Sequence, residues 1–136
     1  ATVKVPSEVP AGTGDDGDLR LFERRARDGI RNAETFFREA ARAGRCVGVF
    51  CAARIINLLH VVRPDRLPRF FDDDPRLHGR YYPPFDVAVE SRSDLLKRPV
   101  DDLIIMSRSF GPRLRSELAA APELRNTRVL LPDEIR

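Results

Sequence analysis

Tryptophan is absent from the chain, and methionine occurs once and cysteine, histidine and tyrosine twice each. Apolar runs are short: none approaches the roughly 18 residues that a membrane-crossing helix needs. The opening stretch, Ala1 to Gly17, has neither the basic nor the apolar region of a secretory signal. A spanning helix and a leader are therefore not expected, and the expected setting is a bacterial cytoplasm without membrane contact. Cys46 and Cys51 would lie roughly 16 Å apart along an extended strand, beyond disulfide reach. His60 and His78 have no partner at metal-ligand spacing, so no metal site is expected. The nucleophile elbow G-x-S-x-G, the phosphate-binding P-loop, paired zinc cysteines and a glycine-rich first turn are all missing. No catalytic residue follows from the sequence, and no cofactor is expected in this domain.

Lysine stands only at Lys4 and Lys97, so the positive charge is almost all arginine. With abundant alanine this is the signature of a GC-rich coding sequence, and weak evidence of phosphate binding. The 24 basic residues are interspersed with 21 acidic ones and leave a net charge of +3. Nucleic acid is accordingly not an expected partner, despite a pI near 9.3.

The 136 residues, 42% hydrophobic and 33% charged, suit one domain able to bury its own core. Residues 1–17, broken by Pro6, Pro10, Gly12, Gly14 and Gly17, read as a flexible linker and residues 18–136 as the domain. Beginning with Ala rather than Met suggests either an excised piece of a longer protein or a processed terminus. Phe22, Ala26, Ile30, Ala33, Phe36 or Phe37, and Ala40 recur at helical spacing, giving a long amphipathic N-terminal helix over Leu19 to Ala43. Asp18 is its expected N-cap and Gly44 its end. Short apolar runs at Arg45–Phe50, Leu67–Phe71, Val87–Val89, Leu103–Met106 and Val129–Leu131 read as strands. Their lack of strict alternation is expected where both faces of a sheet are covered. Pro68 fits the start of its strand or a sheet edge. Helices are expected at Ala53–Val62, Ser93–Arg98 and Gly111–Ala121. This alternation predicts an α/β domain: a three-layer, Rossmann-like arrangement with a small parallel sheet.

Ligands of such sheets bind beyond the carboxyl ends of the strands, where strand order reverses. Three segments should converge there. The first turn, Cys51-Ala52-Ala53-Arg54, has no glycine to let backbone amides close on a phosphate. Arg54 offers it a charge, and Cys51 is either a reactive thiol or a small packed residue. Asp72 of Asp72-Asp73-Asp74 lies about 20 residues further on, where a carboxylate accepts from ribose hydroxyls. Ser107 and Arg108 follow the Leu103–Met106 strand, and Ser109 is placed to cap the next helix.

Asp72, Asp74, Pro75, Gly79 and Pro83 stand in the places of a D-x-N/D-P-x-K-x-G-x-x-x-P-G loop. Val87–Val89, Leu95, Pro99, Asp102 and Leu103–Met106 continue the order of motifs. From about Leu19 onward the chain resembles the Rossmann-like C-terminal domain of sugar C-methyltransferases. It departs at Cys51 for the turn glycine, Leu77 for the loop lysine, Pro84 for the loop glycine, and Ser107-Arg108-Ser109 for tryptophan-asparagine. The resemblance implies an accessory domain, noncatalytic by itself, that helps hold a nucleotide-linked sugar. A preceding methyltransferase domain would use S-adenosylmethionine. It also brings Gly79, Arg80 and Tyr81 to the substrate-binding set. The alternative is a degenerate Rossmann-like module kept for protein contacts, including a homodimer through the N-terminal helix.

Overall fold

Four consecutive buried residues, Val47–Phe50, form the central strand β1. Val47 and Val49 pack into one apolar cluster, with Phe36, Phe37 and Ala40 of the first helix, Ile55 of the turn after the strand and Leu59 of the helix that follows it. Phe50 packs into another with Leu95, Leu103, Ile105 and Leu118. A strand whose successive side chains point to opposite faces must be apolar throughout when both faces are covered, as its sequence shows.

The computed structural model describes residues 15–135. Helix α1 spans Asp15–Arg42, and β1 is followed by a 3-10 turn, Ala52–Ile55, and by α2, Ile56–Val62. Strand β2, Arg69–Phe71, and β3, Val89–Glu90, precede α3, Arg92–Lys97. Then come β4, Asp102–Ile105, α4, Gly111–Ala119, and β5, Arg128–Leu130. The five strands are all parallel, in the order β3-β2-β1-β4-β5. The two clusters place α1 and α2 on one face and α3 and α4 on the other. This is the three-layer, Rossmann-like α/β arrangement expected.

Three local expectations change. Asp18 is not an N-cap, because α1 already includes Asp15 and Asp18 sits in its first turn; carboxylates there favour the positive end of the helix dipole. Of the expected linker, residues 1–14 lie outside the described residues, and residues 15–17 are helical. Strand β2 is not at an edge but between β1 and β3. Pro68 is compatible with this position because it precedes the first paired residue, Arg69. Gly44 closes α1 with a φ of +71°, as its sequence position suggests. Helix α3 starts at Ser91, whose hydroxyl accepts from the Asp94 amide while the Asp94 carboxylate accepts from the Ser91 amide. That reciprocal cap was readable as Ser-x-x-Asp.

Gly48 is required by packing. A Cβ there would stand 2.7 Å from Cε2 of Phe71 and 3.2 Å from Val100, and both neighbours are buried. Gly48→Ala should lower stability by about 1–3 kcal/mol, the usual range for overpacking a dense core. A denaturant midpoint unchanged from the parent would contradict the packing of β1 described here.

Candidate functional site

Strand order reverses between β1 and β4, so the carboxyl ends of these two strands diverge into separate connections. Backbone bonds continue past the strand ends there. The Met106 amide donates to Phe50 O at 3.0 Å, and the Cys51 amide to Phe71 O at 2.9 Å. The loops after β1, β2 and β4 therefore leave one well-defined rim. Beyond it lies a cleft of about 310 Å³ that includes Phe50, Cys51, Asp72, Asp73, Arg92, Ser107, Phe110, Arg113 and Glu117 in its lining. A larger hollow of about 490 Å³ lies between the end of α1 and the end of α2. It is remote from the strand ends, where this sheet type concentrates backbone and side-chain groups for a ligand.

Cys51 has φ 65° and ψ 50°, the left-handed conformation that a non-glycine residue adopts at a cost of about 1–2 kcal/mol. The turn thus keeps a glycine's backbone geometry with a side chain in place. Burial pushes the Cys51 thiol up to about 11, Asp72 and Asp73 add to the rise, and Arg54 opposes it. Of the two readings of Cys51, this balance favours the small packed residue: near neutrality Cys51 is a protonated, half-buried side chain. Ala52 is fully buried, and Ala53 and Arg54 are exposed beside the cleft without lining it.

The three aspartates after β2 separate, as consecutive residues leaving a strand should. Asp72 lines the cleft, and its Oδ1 accepts from the Asp74 amide at 2.9 Å. Its backbone oxygen lies 2.8 Å from Nε2 of His78, which gives that histidine a structural place. Asp73 takes both ends of the Arg92 guanidinium, at 2.7 and 3.2 Å. Asp74 caps the next short turn through the Arg76 amide and pairs with the Arg76 side chain at 3.1 Å. No group of three or more possible metal ligands occurs among the described residues.

Arg92 and Glu117 were invisible to sequence reasoning, since only the fold brings α3 and α4 together over the cleft. Arg92 also donates to Glu117 at 3.1 Å and lies 5.7 Å from the centre of the Phe50 ring. Its hydrogen bonds to Asp73 are the main reason its pKa is raised. Glu117 is held below the ordinary carboxylate range, first by Arg92. The lining counts three carboxylates, Asp72, Asp73 and Glu117, against two guanidinium groups, Arg92 and Arg113, and both arginines are paired to Glu117.

The remaining predicted residues divide. Ser107 lines the cleft, and its hydroxyl accepts from the Phe110 amide at 3.1 Å. Ser107, not Ser109, thereby secures the turn before α4. Arg108 is exposed and outside the lining. Gly79, Arg80 and Tyr81 are drawn towards β3: the Gly79 amide donates to Val89 O, the Val89 amide to Arg80 O, and Tyr81 pairs with Ala88. Of the two adjacent tyrosines it is Tyr82 that turns inward. Its ring packs edge-on against Phe70, its hydroxyl is buried with no hydrogen-bond partner among the described residues, and its pKa is raised by burial and then by Asp72.

No protein-family model and no curated protein matches this chain. No described helix is long and apolar enough to cross a membrane.

The thiol balance has a direct test in a Cys46→Ser background. At about pH 8, three units below its pKa, only about one Cys51 thiol in a thousand is the nucleophilic thiolate. Its alkylation rate should therefore climb about tenfold per pH unit between about pH 8 and 10. Asp72→Asn removes a negative neighbour and should move the midpoint down. A rate already level by about pH 10, as for an ordinary thiol, would contradict the burial of Cys51.

Proposed function

We propose that this is a noncatalytic binding domain for a nucleotide-linked sugar, serving a methyltransferase-like protein, with the nucleoside seated in the strand-end cleft. The observation that carries this reading is the position of Asp72. It follows β2 directly, lines the cleft at the β1 and β4 reversal, and uses Oδ1 for the Asp74 amide. A carboxylate there is placed to accept from ribose hydroxyls. Phe110, 62% exposed on the same lining, offers an aromatic face to a base. The loop from Asp72 to Pro83, which resembles that of sugar C-methyltransferases, supports the sugar-linked class. The implied parent activity is S-adenosylmethionine-dependent methyl transfer by another domain.

The electrostatics refine the mode of binding. The lining carries one more carboxylate than guanidinium, and Arg92 is already shared by Asp73 and Glu117. Pyrophosphate therefore gains little in the cleft, and the nucleoside and its hydroxyls carry the affinity. A contact role without a small ligand is the second reading, favoured by the uncovered first half of α1, where Leu19 and Phe22 are 55% and 69% exposed.

Calorimetry with uridine, thymidine and guanosine diphosphate sugars, and with the free nucleosides, tests the proposal. Binding is expected for at least one nucleoside series, with the free nucleoside retaining most of the affinity. Asp72→Ala should weaken it about ten- to a hundredfold, the value of hydrogen bonds to a charged acceptor. Absence of heat with every compound would sink the reading.

A further inference from the structure

Helix α1 carries an unbroken heptad seam of Leu19, Phe22, Ala26, Gly29, Ala33, Phe36 and Ala40, alternating steps of three and four. Its last three members are buried against the sheet. Its first four are exposed, Leu19 and Phe22 at 55% and 69%. Beside the small residues Ala26 and Gly29 runs a groove of about 420 Å³, with Ile30, Leu58, Met106 and Ile135 among its lining. The same helix therefore presents two large apolar side chains and, one to two turns later, a hollow bordered by two small ones. Leu19 and Phe22 cannot fill that hollow themselves, because the seven residues from Phe22 to Gly29 span about 10 Å of helix.

We propose that a second copy of this chain fills it, the two α1 helices packing antiparallel about a two-fold axis. In that arrangement Leu19 of each copy lies opposite Gly29 of the other, and Phe22 opposite Ala26. Both pairs share one midpoint, Arg24, so a single axis satisfies all four contacts, as an isologous interface requires. Large faces small throughout, the complementarity that dense packing needs. Charge fixes the direction. In this register Arg20 of each copy lies level with Asp28 of the other, and Arg25 level with Glu23, whereas parallel packing would set Arg20 level with Arg20 and Glu23 level with Glu23. This inference stands independently of any ligand in the strand-end cleft.

Light scattering coupled to size exclusion, run on the full chain across about 1 to 100 µM, a range that brackets micromolar dissociation, should give twice the monomer mass. Phe22→Asp should return a twofold lower mass. So should Gly29→Leu: a Cβ at Gly29 meets nothing within 4 Å in one copy, so the monomer tolerates it, yet it occupies the place of the partner's Leu19. Far-ultraviolet dichroism should show both variants folded. A monomeric parent at every concentration, a mass other than twice the monomer, or a dimer surviving both substitutions overturns the proposal.

Discussion

Strand β1 is bonded to a parallel neighbour along each edge and covered by helices on both faces, and the remaining elements take their places from that double enclosure. No position in Val47–Phe50 is free to be polar, and the one without a side chain is there because Phe71 occupies the space above it. Burial of large side chains on both faces, Phe70, Ile55 and Leu59 on one and Phe71, Leu95 and Leu118 on the other, supplies the main driving force for assembly. Because the two clusters meet only through the sheet, each helix pair is fixed relative to the other by the strands. That is how α3 and α4 come to hold Arg92 and Glu117 over the same cleft.

The two ends of the sheet are built differently. At the amino end, Asp102 is 2% exposed and is bonded by Arg45 at 2.9 Å and Arg128 at 3.1 Å. Arg69 pairs with both oxygens of Glu90, donates to the Arg98 carbonyl and rests on the Phe71 ring. A buried carboxylate is costly unless its lone pairs are met, and here two guanidinium groups from two other segments meet them. These contacts tie the starts of β1, β4 and β5 together, and the start of β2 to the last residue of β3. Among the described residues no comparable ion-pair lock spans the β1 and β4 gap at the carboxyl end, which leaves room for the cleft.

The fold was legible because each strand is a short apolar run bounded by glycine, proline or charge, and each helix carries its period. Leu103–Met106 was displaced by one residue from the observed β4, and Val129–Leu131 by one from β5. Strand order was not legible: Pro68 suits the start of a strand as well as a sheet edge, and the neighbours of β2 are set by crossovers that no local signal encodes. The start of α1 was missed for a related reason, since a cluster of aspartates and a glycine reads as a linker until the helix dipole is counted. Within the candidate site, Cys51, Asp72 and Ser107 were found because they sit at strand ends. The choice between Tyr81 and Tyr82 depends on the pairing of the loop with β3 and could not be read from two adjacent identical residues. Arg92 and Glu117, 25 positions apart, meet only in three dimensions.

The missing turn glycines take on a different meaning once the backbone is known. Glycine at such a turn does two things: it adopts positive φ, and it leaves space for an anion to approach the amides. Cys51 does the first, at φ 65°, and prevents the second with a side chain that burial and two aspartates keep uncharged at neutral pH. The cleft nearby is consistent with that loss, since its arginines are already matched to carboxylates and it offers no surplus positive charge. Turn geometry and cleft electrostatics thus point the same way, against a tightly held pyrophosphate: positive φ at a strand-to-helix turn supplies the shape of an anion site, and the open space and unpaired positive charge that such a site also needs are separate conditions.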